Sequence, residues 1–570
     1  MDPWRGALLL LLAAAPARAG CPSECECRAS GLHPAVDCSA LQFTALPPGL
    51  PADTSHLRLG FNNIRILRNG SLTTAPNVAR LWLNDNGMEI IEPGAFNYLS
   101  SLSWLDLENN KITSLHPDTF VNLTHLFKMI LSGNPLVVPE NSVFLRSEYL
   151  QILDMANCGL EEIPSKAFTE LRSLMTLRLG NNSLRAVTIN VSSLSHLDLH
   201  KNSIGPTTNR LQISAPRLLK LDLSSCLFAT ISPDFLGSFP LMEYFDISDN
   251  IIDFLNPDVF NALSNLLKLN LTNNLIYTLP ANIIDQNRKL EAIDLSNNPL
   301  VIGRTSILTT CSARIIMMKR CRFRDITSTS LNGLSNATEL HLSDNKLQTI
   351  SKSVFTSVPL LVSLYLDGNK ISQIEVDAFE DLTQLTFLDL SRNSLQLPED
   401  GPFLRSSSLG ALRLDACGLE ALPAAALRAL PALRSLSLAG NDLAFVSDAA
   451  LRAAPALRAL HVARNRWRCD CALRQLWFWC AGADEAASGP GQGPEREVAA
   501  GAGAGARRAA RCPDAEETAC DLPRRRRFTA LAHLTCRDNS EEELDDDVEW
   551  VGAAAGIGGG TRAPPDRLSA

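Results

Sequence analysis

The chain is poor in aromatic side chains: phenylalanine, tryptophan and tyrosine together make up 6% of its 570 residues. Leucine is abundant instead, which points to a core built by repeating one aliphatic pattern. No stretch can cross a bilayer as a helix, which takes about 20 apolar residues. The best late run, Val551 to Gly560, is short and rich in glycine. Positive charge is not in excess either. Lysine and arginine number 52 against 61 acidic residues, a net charge of −9, so nothing in the bulk charge favours nucleic acid. The sequence holds no nucleophile elbow, no His-Glu-x-x-His, no phosphate loop and no paired carboxylates with a cleft to hold them, and its nine histidines are scattered. A binding protein without cofactor or metal is expected, not an enzyme.

What is present begins with a leader. Arg5 precedes an apolar run from Ala7 to Ala15, and Ala17-Arg18-Ala19 forms a small-x-small cleavage site. Residues 1–19 therefore read as a signal peptide. The fifteen cysteines agree with that route. Four cluster early (Cys21, Cys25, Cys27, Cys38) and six late (Cys469, Cys471, Cys480, Cys512, Cys520, Cys536), and even clusters behind a leader read as disulfide frameworks. In an oxidising compartment that reading outweighs a metal half-site at Cys469-Asp470-Cys471. Five cysteines stand alone: Cys158, Cys226, Cys311, Cys321 and Cys417.

Self-similarity runs from end to end. Leu-x-Leu-x-x-Asn-x-Leu occurs as Leu105 to Ile112, Leu364 to Ile371 and Leu388 to Leu395. The asparagine slot falls at 18 positions from 62 to 465, spaced by 24 residues except for one interval of 20 (182 to 202) and one of 23 (298 to 321). Each Leu-x-Leu alternates with period two, so the leucines of a short strand point inward and the residues between them outward. Asparagine carries donors and an acceptor, so stacked copies can satisfy turning backbone inside the coil. Ten residues beyond most slots lies a large apolar residue, phenylalanine at 96, 120, 144, 168, 260, 355, 379 and 403. This second column predicts a core on the convex side. No repeat buries its own apolar face, but a stack buries all of them. The expected fold is an α/β leucine-rich-repeat solenoid, a curved horseshoe with a parallel sheet on its concave face and short helices or irregular chain on its convex face.

The slot holds cysteine at 158, 226, 321 and 417. Even Cys158 and Cys226, the nearest pair, are three rungs apart, about 14 Å at strand spacing, whereas a disulfide needs Cα atoms within about 7 Å. These four are expected as free buried thiols. Cys311 lies on the back of its coil, either free or bridged to another molecule.

Both ends of a solenoid need caps. Cys21-Pro22-x-x-Cys25-x-Cys27 with Cys38 begins the chain, and Asn465-Arg466-Trp467-x-Cys469-Asp470-Cys471-x-Leu473, with Cys520-x-x-Pro523 and Cys536, follows the repeats. Over residues 21 to about 536 the sequence resembles the extracellular leucine-rich-repeat family with paired cysteine-rich flanks, the build shared by Slit, the Trk receptor ectodomains and Toll-like receptors. The resemblance implies pairing of Cys21 with Cys27, Cys25 with Cys38, Cys469 with Cys520 and Cys471 with Cys536, leaving Cys480 and Cys512 as a third bridge. Arg466 stands where the family usually has proline, and an insertion at 481–511, low in large apolar residues, is expected to be disordered. The division is then 1–19 leader, 20–50 first cap, 51–465 repeats, 466–536 second cap and 537–570 an acidic tail.

Recognition would use the outward residues of the concave strands. Between the paired leucines stand Asp106, Asp154, Asp198, Asp222, Asp246, Asp294 and Asp389, and Trp104, His196, Tyr244, His341, Tyr365, Phe387 and Arg413 share that face. Acidic groups with aromatic anchors suit a basic or mixed protein surface, although aspartate at this position also serves simply to solvate a sheet. Eighteen rungs offer roughly 85 Å of surface, which favours a protein partner over a small molecule. Sequons at Asn69, Asn122, Asn181, Asn190, Asn270 and Asn336 agree with secretion. Asn270 lies within the acidic row, where a glycan would obstruct the face. Arg524 to Arg527 could contact heparin or be cleaved, or could simply be solvated. The expected role is extracellular recognition by a secreted or cell-surface adhesion or receptor protein. The alternatives are a matrix component binding collagen or glycosaminoglycan, and a truncated ectodomain of a single-pass receptor.

Overall fold

The computed structural model describes residues 21–28, 34–140, 142–301, 306–468, 476, 479–480, 512 and 520–522. The leader, the Cys469–Cys520 and Cys471–Cys536 pairings, the insertion at 481–511, Arg524 to Arg527 and the acidic tail lie outside the described residues.

Each Leu-x-Leu becomes a three-residue strand, and each strand pairs in parallel with the one a repeat later. Trp104–Asp106 lies between Arg80–Trp82 and Lys128–Ile130, with Leu105 in register with Leu81 and Met129. The pairing continues without interruption from His56–Arg58 to Ala459–His461. At the N-terminus it joins the cap, whose strands Glu26–Arg28 and Ala35–Asp37 are antiparallel to each other, the second being parallel to the first repeat. The result is a twenty-stranded concave sheet. The 20- and 23-residue intervals break neither register, because the missing residues come out of the back of the coil: Thr176–Arg178 still pairs with His196–Asp198, and Ala292–Asp294 with Ile315–Met317.

The asparagine ladder has a fixed geometry. Asn110 Nδ2 donates to the carbonyls of Leu83 and Leu107, both at 2.9 Å, while its Oδ1 accepts from the N–H of Asn86 (3.0 Å) and Met88 (2.9 Å). The side chain thus ties its own turn to the previous one. The chain reaches this arrangement through a left-handed residue just before the slot, often an asparagine or aspartate that tolerates it: φ is 54° at both Asp85 and Asn109 and 56° at Asp249.

On the convex side all eight phenylalanines of the second column are buried. Phe96 stacks on Phe120 at 5.5 Å and Phe355 on Phe379 at 5.7 Å. Short helices, Pro233–Gly237, Ser328–Leu331 and Asp448–Arg452, occupy some turns here. At the C-terminal end Trp467 is fully buried and its indole N–H donates to Val462 O at 3.1 Å, covering the last rung. Arg466, in the position where proline was expected, instead pairs with Asp442 at 2.9 Å. Disulfides join Cys21 to Cys27, Cys25 to Cys38 and Cys480 to Cys512.

Cys158, Cys226, Cys311, Cys321 and Cys417 are free and buried. In the four slot positions the sulfur takes over part of the asparagine's work: Cys226 Sγ lies 3.1 Å from Leu199 O, the carbonyl 27 residues back. Burial pushes the thiols up, Cys158, Cys311 and Cys417 to about 11 and Cys226 and Cys321 to about 12. Their thiolate populations should lie roughly 100-fold or more below that of an exposed cysteine. Iodoacetamide at neutral pH is therefore expected to leave all five unlabelled in the native protein and to label all five after denaturation. Rapid native labelling of Cys226, read by mass spectrometry, would contradict this placement.

Candidate functional site

Strand register brings side chains 24 residues apart next to each other on the concave face, and the outward residues gather into three clusters. The first lies at the N-terminal end. Trp82 and Trp104 meet edge to face at 5.0 Å, with His56 6.1 Å from Trp82. The Arg58 guanidinium lies 5.2 Å from the Trp82 ring, and Arg80 (5.4 Å) and Lys128 (4.9 Å) flank Trp104. Of these residues only Trp104 stands among the sequence-derived candidates. Trp82, Arg58, Arg80 and Lys128 occupy the columns of Trp104 and Asp106 and could have been found by reading those columns rung by rung.

The second cluster lines a hollow of about 480 Å³ in the middle of the face. Here His196, Asp198, Asp222, Tyr244, Asp246 and Asp294 come together. Tyr244 sits between two ammonium groups, Lys220 at 4.4 Å and Lys268 at 5.6 Å. The aspartates are partly structural. Each turns one oxygen to the N–H two residues on: Asp222 Oδ1 accepts from Ser224 N at 2.9 Å, and Asp246 and Asp294 accept from Ser248 and Ser296 N at the same distance. Asn270 is half-buried in this row and its amide donates to Asp246 Oδ2 at 2.7 Å. The other five sequon asparagines are exposed. Asp198, His200 and Asp222 place one ligand-type atom each within 4.8 Å of one another. The contact of His200 Nδ1 with Asp198 Oδ1 at 2.6 Å and the strand register of Asp198 with Asp222 account for that proximity.

The third cluster is aromatic. His341 stacks flat on Tyr365 at 4.0 Å, and Tyr365 meets Phe387 at 5.1 Å. Arg413 lies 5.5 Å from the Phe387 ring and 3.7 Å from Asp389. Burial pushes the His341 imidazole down, which keeps it neutral at physiological pH, and Nε2 contacts Glu339 at 2.6 Å. Asp154 belongs to no cluster; it pairs with Arg178 at 3.2 Å.

The face is more crowded than alternation alone suggests. Asp106, His341 and Asp389 are only 7–8% exposed, although all three point to the concave side. Strands about 4.8 Å apart leave little room beside a tryptophan or a stacked tyrosine, so these three support their neighbours more than they offer themselves. Burial likewise raises the Asp222 carboxyl, aided by the charges of Asp246 and Asp198 and opposed by the bonds from Ser224. A carboxyl whose folded value lies above its unfolded one favours folding when protonated, and that contribution is lost as pH rises through the folded value. Asp222→Asn keeps an acceptor for Ser224 and removes the buried charge. It is expected to raise the melting temperature modestly at pH 7, with the gain vanishing near about pH 3. A gain that persists at the acid end would mean the effect is not one of charge.

A family model described as the leucine rich repeat matches residues 76–136, 148–204, 240–300, 312–371, 335–395, 359–419 and 407–466, more than half of the chain. Three curated relatives match over short stretches. Identity is 46% over 76 residues with leucine-rich repeat and immunoglobulin-like domain-containing nogo receptor-interacting protein 3 of Mus musculus, covering 13% of either chain. It is 44% over 79 residues with reticulon-4 receptor-like 2 of Rattus norvegicus, 14% of this chain and 18% of that one. It is 43% over 89 residues with platelet glycoprotein IX of Homo sapiens, 15% of this chain and 48% of the relative. The chain thus spans less than half the length of each. A solved structure of the Toll–Spatzle complex of Drosophila superposes with a TM-score of 0.50 at 19% identity, over 76% of this chain and 56% of that one, a likeness of fold. By the repeat model and by its own unbroken ladder, the chain belongs to the leucine-rich-repeat family.

Proposed function

We propose that this protein is an extracellular recognition protein of the receptor or adhesion type, secreted or held at the cell surface, that binds a protein partner on its concave face and catalyses no reaction. The observation that carries the reading is the central acidic hollow with Tyr244 clamped between Lys220 and Lys268, set between two aromatic clusters on one continuous sheet. Tyrosine, tryptophan and arginine are the side chains that most often dominate binding energy, and the extent of the sheet suits a partner of protein size. Disulfides at both ends and five exposed sequons support the secretory route. Relatives whose names include receptor-like and receptor-interacting proteins point the same way. Among the described residues no helix is long and apolar enough to cross a membrane.

The test is expression of the whole chain in secretory cells, followed by a binding screen against cell-surface ectodomains. The partner found is then measured against Tyr244→Ala and Asp222→Lys/Asp246→Lys variants checked for native circular dichroism. Loss of affinity by about tenfold or more in either is expected. A partner bound equally well by both variants would place recognition off the concave centre, and release from cells by heparin alone would favour a matrix role.

A further inference from the structure

Of the three cations in the N-terminal cluster, Arg58 pairs with Asp37 at 3.4 Å, but the other two carry an electrostatic demand that the described residues do not meet. Other arginines on or beside the sheet have carboxylates: Arg178 has Asp154, Arg413 has Asp389, and Arg392 has Asp344. Arg80 and Lys128 have none within 4 Å among the described residues, although the chain as a whole is acidic. Asp106, in the neighbouring column, is buried, its carboxyl is raised by that burial, and one of its oxygens accepts from Glu108 N at 3.0 Å. Stacking on Trp104 orients both cations without neutralising them, because an indole face attracts a cation yet leaves its N–H groups unsatisfied.

We infer that the concave surface formed by Trp82, Trp104, Arg58, Arg80 and Lys128 binds an acidic segment of an extended peptide. This names the chemistry of one end of the partner and rests on the concave-face reading above. Arg80 and Lys128 stand on strands two rungs apart, about 10 Å. In a peptide extended as a polyproline-II helix, residues three apart lie on one face about 9 Å apart, so carboxylates at every third position would meet the two cations in turn. The indole faces are already covered by Arg58, Arg80 and Lys128, which leaves no open face for a sugar ring to stack on. A long uniform polyanion would also meet Asp198, Asp222, Asp246 and Asp294 in the central hollow, where Arg178, Lys220 and Lys268 make the lining mixed in sign. A peptide can instead be acidic at one end and basic at the other. The face is therefore polar along the solenoid axis and admits its partner in one direction.

The experiment uses the full chain and a fluorescein-labelled peptide with glutamates at every third position in its first half, aromatic residues between them, and lysines in its second half. Anisotropy at low ionic strength compares the wild-type protein with Arg80→Ala/Lys128→Ala, in which an exposed and a half-buried side chain are removed. The double variant is expected to bind about tenfold more weakly with an unchanged melting temperature. Equal binding by the two proteins, or no binding by the wild type, overturns the inference. So does a heparin oligosaccharide that displaces the peptide and depends on the same two cations more strongly than the peptide does. If the protein partner from the ectodomain screen is lost with Tyr244→Ala but bound normally by Arg80→Ala/Lys128→Ala, recognition by the concave face stands and this assignment alone fails.

Discussion

Asn250→Ala is expected to lower the unfolding free energy by about 3 kcal/mol or more, and Asn250→Cys by distinctly less. Asn250 is 6% exposed. Its Nδ2 donates to the carbonyls of Leu223 (3.0 Å), Ile247 (3.0 Å) and Ser248 (2.9 Å), and its Oδ1 accepts from the N–H of Cys226 (3.0 Å) and Phe228 (2.9 Å). Alanine would strand several of these backbone groups away from water, each at a cost of about 1–3 kcal/mol. The chain itself shows why cysteine is a partial substitute. In the slot at 417 the sulfur sits 3.4 Å from Leu390 O and 3.5 Å from Asp415 O, so a weak donor remains. The acceptor side is poorer. Before two cysteine slots the preceding turn compensates locally: Leu136 N and Leu300 N each donate at 2.8 Å to the carbonyl of the slot asparagine two residues back, Asn134 and Asn298. The turn before position 250 runs through Cys226 and Phe228 without that adjustment. Chemical denaturation should rank asparagine above cysteine above alanine. Equal loss for the two substitutions would mean that a sulfur does not replace the amide at this position.

The second large effect is expected at Gly333. A Cβ there would fall 1.8 Å from Leu308 O and 2.9 Å from Thr309 C, both backbone atoms of the preceding, 23-residue interval. Gly333 N–H also donates to Ser306 Oγ at 3.2 Å, which fixes the approach. Flexible side chains could swing aside, but two backbone turns packed together cannot. Gly333→Ala should therefore cost at least the 1–3 kcal/mol typical of overpacking, about 3 kcal/mol being the reasonable expectation. Gly159→Ala is the contrasting case. Its φ is +69° with nothing within 4 Å of the added carbon, so only the left-handed backbone is penalised, by about 1 kcal/mol. Thermal melts of the two variants separate crowding from conformation. Similar losses would show that the convex turns can part around a methyl group.

Much of this architecture was legible in the residues. A 24-residue period with Leu-x-Leu and asparagine in step predicts parallel strands stacked in register, and Leu105 beside Leu81 and Met129 is that prediction realised. The phenylalanine column was visible as a second core, and the slot cysteines as thiols too far apart to bridge; all lie buried as the pattern requires. Less legible was the use of each outward residue. Asp106 and Asp389 look alike in sequence to Asp198, yet the first two are buried while the last is half-exposed beside His200. All three turn Oδ1 to the N–H two residues on, so the difference comes from the bulk on the neighbouring strands. The tryptophan pair and the two cations flanking Trp104, which have no carboxylate within 4 Å among the described residues, were hidden for a related reason. Trp82, Trp104, Arg80 and Lys128 are spread over three repeats, and only the register makes them one surface.

The sequence by itself determined the solenoid, because a repeated apolar pattern can be buried only by stacking its copies, and stacking dictates which columns face in and which face out. The tertiary structure decided what those outward columns became. Strands about 4.8 Å apart force side chains from distant repeats to share space, so that stacking, ion pairing and burial assign each one either to support or to contact with a partner. Those assignments depend on neighbours across the sheet, and no single repeat contains them.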